Sequence, residues 1–169
     1  MSILEEKIVF IQHTADTAPA GSRPFLTGPT HKAVALLAES PEMLGGFLQA
    51  SKLFEASTLD PLSREVVVMT IAVRNGCQVC VAMHTGKLNK IDGGKALIPA
   101  LRAGDPLPDP QREALRQFVQ RVLATAGEVP EEEIEEFTSA GYTKRNALEV
   151  VLGIGTYTMS TLANRLVRA

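Results

Sequence analysis

The chain of 169 residues contains two cysteines, three apart in Asn75-Gly76-Cys77-Gln78-Val79-Cys80, with His84 four residues beyond the second. Two thiols and an imidazole this close in sequence can cycle between dithiol and disulfide, or can ligate a metal. Asn75-Gly76 is a helix stop, so Cys77 is expected near the start of a new helix running to about Lys90. Unpaired backbone N–H groups at a helix start favour thiolate over thiol. Offsets of 0, 3 and 7 then put Cys77, Cys80 and His84 on one face, and His84, one turn from Cys80, can accept or return its proton. Side chains at i and i+3 hold their Cβ atoms about 5–6 Å apart, wider than the roughly 3.5–4.5 Å of a disulfide. The reduced pair is therefore expected to sit relaxed in the helix and oxidation to tighten its first turn, which favours a catalytic over a structural bond.

Other chemistries compete for the same residues. The cysteines could be small buried hydrophobes, and a Cys2His set with a nearby carboxylate could hold zinc, although the spacing does not match a closed structural finger. Glu65, twelve residues before Cys77, reads by itself as a first-turn acid complementing its helix dipole. His13 and His31 have no neighbouring cysteine and receive no role. The run Glu131-Glu132-Glu133-Ile134-Glu135-Glu136 lacks a calcium loop's glycine and alternating oxygens, and reads as a solvated helix face. Arg165 and Arg168 complement the C-terminal end of their helix. Gly153 and Gly155 inside that helix imply close backbone packing, in the core or against another subunit.

The elements that must position these residues are announced by a repeated grammar. Ser40-Pro41, Asp60-Pro61 and Asp109-Pro110 each pair an N-cap residue with proline at the first helical position. The helices that follow are expected at about 42–56, 62–75 and 111–126. Thr30 can cap a short helix through Leu37, Pro130 can open an acidic helix over 131–140 stopped by Gly141, and Thr143 can cap a closing helix over about 143–168. Glu65 to Val73 is rich in β-branched residues and would suit a buried strand, but its opening proline, its Asn-Gly stop and the lack of a partner strand make it a helix. Residues 12–29, rich in Thr, Ala, Gly and Pro, read as an extended arm or loop. The expected organisation is an N-terminal arm over 1–29 and one all-α domain over 30–169, with seven or eight helices.

Composition removes several partners. With 17 basic and 19 acidic residues the chain has no broad positive field, so nucleic acid is not expected. The longest apolar stretch, Ala147 to Met159, contains Glu149 and is too short to span a bilayer. Met1 to Lys7 carries two acids where a secretory signal needs basic residues, which predicts cytoplasmic residence. A 45% apolar content without tryptophan suits a helical protein whose surface is partly covered by copies of itself.

Glu65 also completes a pattern, Glu-x11-Cys-x-x-Cys-x3-His, that resembles the active-site signature of the alkyl hydroperoxidase D (AhpD) branch of the carboxymuconolactone decarboxylase-like family. The likeness covers roughly residues 40 to 125. Gly141-Tyr142-Thr143, Leu148-Glu149-Val150-Val151 and Asn164-Arg165 are similar to that family's usual ending. The resemblance implies an all-helical homo-oligomer, commonly a trimer or hexamer, with each site between the helix of the glutamate and the helix of the cysteines; no cofactor and no resident metal is expected. It implies that Cys80 reduces the hydroperoxide substrate, that Cys77 resolves the sulfenic acid, and that Glu65 and His84 relay the proton. An external dithiol or thiol protein would then be the reductant. Val79 departs from the pattern, since the hydroperoxidases carry a further histidine there; decarboxylases of the superfamily generally lack the cysteine pair. The alternatives are a thiol-disulfide oxidoreductase or redox sensor with weak peroxidase activity, and a zinc-bound or redox-inert oligomeric binding protein.

Overall fold

A computed structural model describes residues 9–169, so the reading of Met1 to Lys7 lies outside the described residues. Among the described residues eight α-helices follow one another: α1 (Lys32–Leu37), α2 (Pro41–Glu55), α3 (Pro61–Arg74), α4 (Gln78–Leu88), α5 (Gly94–Ala103), α6 (Pro110–Ala124), α7 (Glu131–Ser139) and α8 (Lys144–Leu166). Among the described residues there is no strand.

The β-branched run became the central helix. α3 is enclosed by α4, α5, α6 and α8, and Val66, Val67, Val68, Met69, Ile71 and Ala72 are all fully or almost fully buried. A helix that is apolar all round needs such an enclosure. Each of the larger side chains contributes about 1.5–3 kcal/mol by leaving water. Asp60 starts it by accepting hydrogen bonds from the backbone N–H groups of Leu62 and Ser63, each at 3.0 Å. Ser40, Asp109 and Thr143 cap α2, α6 and α8 in the same manner, Thr143 in a reciprocal capping box with Asn146.

α8 crosses α2 and α3 at Gly153, where a Cβ would come within 2.6 Å of the Phe54 ring and 3.1 Å of Val67. The close packing expected of the two glycines thus applies within the chain to Gly153, whereas Gly155 faces open space. Glu149 ties α8 to the α2–α3 connection. It accepts from the Thr58 backbone N–H at 2.9 Å and hydroxyl at 2.7 Å, and from Asn146 at 2.9 Å and Arg145 at 3.1 Å.

Three local expectations are corrected. α1 is capped by His31, whose ring nitrogen accepts from the Ala33 N–H at 3.1 Å, rather than by Thr30. α5 was not anticipated, because a Gly93-Gly94 start and an internal Pro99 are written in residues that normally end helices. The loop-like stretch 12–29 contains a 3-10 helix (Ala20–Phe25), and Ala18 and Leu26 are buried against α1 and α2. His13 joins this docking through its Nε2, 2.7 Å from Glu39 Oε2, and its backbone N–H, which donates to Ala35 at 3.1 Å.

Candidate active site at the junction of α3, α4 and α8

α3 ends in a Schellman motif. Gly76 adopts φ +65°, its N–H donates to Val73 at 3.1 Å, and the Cys77 N–H reaches back to Ala72 at 3.0 Å. The chain reverses immediately, and α4 begins with Cys77 as its N-cap at φ −84° and ψ 92°. This revises the expected geometry in two ways. The Cys77 N–H is already paired, so the free donors belong to the residues that follow it. Cys77 is also extended rather than helical, so the two cysteines do not share a helical turn that must tighten. Their Cα atoms are 5.3 Å apart and the sulfurs lie at disulfide distance, within the usual span for a bridge.

The same reversal folds α3 back beside α4 and brings Glu65 to His84. Glu65 Oε2 lies 2.6 Å from His84 Nδ1, and both side chains are buried, at 3% and 6% exposure. A carboxylate at Nδ1 fixes the ring's orientation and leaves Nε2 as the nitrogen available for proton exchange. The four residues singled out by the sequence, Glu65, Cys77, Cys80 and His84, lie on α3 and on α4 with its N-cap, in one region of the fold. Cys77 and Cys80 are themselves almost buried, at 1% and 5% exposure.

Around this core stand residues to which the sequence gives no part in the site, Arg165 among them, expected only to complement the end of its own helix. Lys87, one turn down α4 and half-exposed, places Nζ 3.0 Å from Glu55 and 3.7 Å from Glu65. Burial alone would lower its pKa, but the Glu65 and Glu55 carboxylates outweigh that and raise it, keeping a cation beside the buried acid. α8 contributes a face at positions 157, 161, 164 and 165. Tyr157 sets its ring edge-on to His84 at a centroid distance of 5.5 Å and shares a hydrogen bond with Ser51 at 3.3 Å; burial raises its pKa. Thr161 accepts from the Asn75 amide at 2.8 Å, and Arg165 donates to the Asn75 carbonyl at 2.6 Å, clamping the turn that carries Cys77. Asn164 donates through Nδ2 to Cys80 Sγ at 3.4 Å. The i, i+4, i+7, i+8 spacing of these residues along α8 was the available signal. It had no evident partner until the tertiary contact formed.

Among the described residues no group of three or more His, Cys, Asp or Glu side chains is arranged to hold a metal ion. No helix among them is long and apolar enough to cross a membrane. A cavity of about 600 Å³ between α6 and α7, lined by Phe118, Arg121, Glu133 and Phe137, shares no residue with the cysteine site.

Residues 38–94 match the model of the carboxymuconolactone decarboxylase family. The match runs from α2 through α4, cysteine pair included, and bears out the resemblance on its motif-bearing part. No curated protein sequence is significantly similar to the chain. Among solved structures, an uncharacterized peroxidase-related protein from Ralstonia eutropha JMP134, described as an alkylhydroperoxidase AhpD core, superposes with a TM-score of 0.80 at 19% identity, over 93% of this chain and 88% of its own. An uncharacterized peroxidase-related protein from Silicibacter sp. TM1040 gives 0.77 at 18% identity, over 99% and 93%. An Agrobacterium tumefaciens protein of unknown function, named for antioxidant defence and AhpD, gives 0.60 at 20%, over 76% and 88%. These likenesses establish the all-helical AhpD-like fold.

Proposed function

We propose that the chain is a thiol-dependent peroxidase of the AhpD type. What carries this reading is the buried Glu65–His84 pair, 2.6 Å apart, one helical turn beyond a cysteine whose partner thiol is at disulfide distance. The names of the structural relatives, two peroxidase-related and one tied to antioxidant defence, support it. The family's name denotes a decarboxylase, but a cysteine pair beside a histidine supplies redox chemistry that lactone decarboxylation does not use.

In the proposed cycle the Cys80 thiolate attacks the distal oxygen of a hydroperoxide. The S–O bond forms as the O–O bond breaks, sulfur gives up two electrons, and the departing alkoxide takes a proton from His84. Cys77 then attacks the sulfur of the sulfenic acid, its thiol proton leaving with the hydroxide as water, and the disulfide remains. An external dithiol or thiol protein returns both cysteines to thiols. The assembly is a homo-oligomer in this reading, formed on the exposed stripe Leu148, Val151, Leu162 and Leu166 of α8.

The deciding experiment is mass spectrometry of both cysteines after limiting cumene hydroperoxide, with and without dihydrolipoamide. The expected sequence is sulfenic acid at Cys80, then a Cys77–Cys80 disulfide, then recovery by the dithiol. A second reading, a thiol-disulfide oxidoreductase with weak peroxidase activity, is favoured by Val79 in place of a further histidine. It predicts rapid exchange with dithiols and disulfides but slow response to hydroperoxide.

A further inference from the structure

The geometry points to Asn164 as a catalytic residue that holds the hydroxyl passed from hydroperoxide to Cys80, an assignment resting on the peroxidase reading above. Asn164 is 6% exposed, and its carboxamide is divided between two tasks. Nδ2 donates to Cys80 Sγ at 3.4 Å, whereas Oδ1 is buried without a hydrogen-bond partner. Most buried polar side-chain atoms are hydrogen-bonded, and of the six left without a partner among the described residues this one belongs to the side chain that also touches a cysteine sulfur, a place where a donor can be received. The two heads of the amide share one carbon, so the open acceptor lies beside the nitrogen that touches the sulfur.

The orientation of the amide follows from the chemistry of sulfur. A thiolate or disulfide sulfur has no proton to give, so it faces the NH2 group and Oδ1 is left free. A hydroperoxide has one donor, the O–H on its distal oxygen, and that oxygen is the one Cys80 attacks. With the O–H donated to Oδ1, the distal oxygen is aimed at a sulfur that the same side chain holds through Nδ2. During transfer the S–O bond forms, the O–O bond breaks, and the hydroxyl keeps its hydrogen and its bond to Oδ1. The product is a sulfenic acid already held by Asn164, while the alkoxide takes its proton from His84. Cys77 next attacks the Cys80 sulfur, the S–S bond forms as the S–O bond breaks, and the hydroxyl leaves as water with the Cys77 thiol proton, returning the amide to the arrangement seen in the disulfide.

The test uses full-length protein carrying Cys77→Ser, so that Cys80 reacts alone, with Asn164→Leu or Asn164→Ala added. Thiolate absorbance against pH gives the thiolate fraction of each protein. Rates with cumene hydroperoxide and with iodoacetamide are then compared at equal thiolate fraction. Iodoacetamide attacks the same sulfur but brings no O–H to its reacting centre, so a role limited to packing or to thiolate stability moves both rates together. The expected result is a peroxide rate lowered about tenfold or more relative to the alkylation rate, by analogy with loss of one preorganised hydrogen bond. Circular dichroism identifies any variant that fails to fold, and Asn164→Ala, which removes the carboxamide without adding bulk, serves if the leucine variant does. Equal losses toward both reagents would overturn the assignment of Asn164 alone. No oxidation of Cys80 in the Cys77→Ser parent would overturn the peroxidase reading and this assignment with it.

Discussion

Replacing Glu65 by glutamine removes one charge from the site and little else, since the amide keeps an oxygen able to accept from His84. The pair is 2.6 Å apart and both partners are buried. Hydrogen bonds to charged groups contribute about 1.5–3 kcal/mol against about 0.5–1.5 for neutral ones. The difference, about 1–1.5 kcal/mol, corresponds to roughly five- to tenfold in the rate of a step that needs a protonated, oriented His84. His84→Asn removes the proton carrier itself and should cost about 10²–10⁴-fold. Because Glu65 acts through His84, the double variant should be no slower than His84→Asn alone. The assay is stopped-flow oxidation of Cys80 by cumene hydroperoxide in the Cys77→Ser background, over about pH 5 to 9. Multiplicative losses would refute the idea that the two residues act as one unit, and unchanged single variants would leave Glu65 as a helix-start acid and His84 as a bystander.

Other expectations concern the frame around the site. Gly153→Ala should be less stable than Gly46→Ala by about 1–3 kcal/mol in urea denaturation, because both gain the same helix propensity but only the first drives a Cβ to 2.6 Å from Phe54. Burial would raise the pKa of Glu149, but its bonds from Thr58, Asn146 and Arg145 hold it below the ordinary 4.5. Its stabilisation is thus complete above that value and fades as pH falls through the lower folded-state value. Glu149→Gln should cost about 1–3 kcal/mol at neutral pH, and its urea midpoint should fall less than that of the wild type on acidification below about pH 4.5. Light scattering at micromolar concentration should return a multiple of the monomer mass, and Leu148→Glu should lower it.

Much of this arrangement was legible because it is written locally. The N-cap and proline pairs placed α2, α3 and α6, since a cap and its helix are neighbours in the chain. α3 was readable as a helix despite its valines only because its ends were marked. The marks mislead at α5, where a glycine at φ +74° caps a helix that contains Pro99. Cys77, Cys80 and His84 could be grouped by counting along about two turns. Glu65 joined them through the resemblance to a family, and its partner through the reversal at Gly76. Tyr157 and Asn164 could not be found by counting, because what gives them a role is the docking of α8 on a helix far away in sequence.

That docking sets an order of events in synthesis. The proton pair joins residues 19 positions apart, whereas Cys80 and Asn164 are 84 apart. At about 5–20 residues per second, a ribosome completes the amide roughly 4–17 s after the cysteine it contacts. The nascent chain therefore holds its thiols and their histidine before it holds the wall that encloses them. The enclosure of the two thiols is thus a property of the finished fold, and an oxidant that reaches the chain earlier meets them without it.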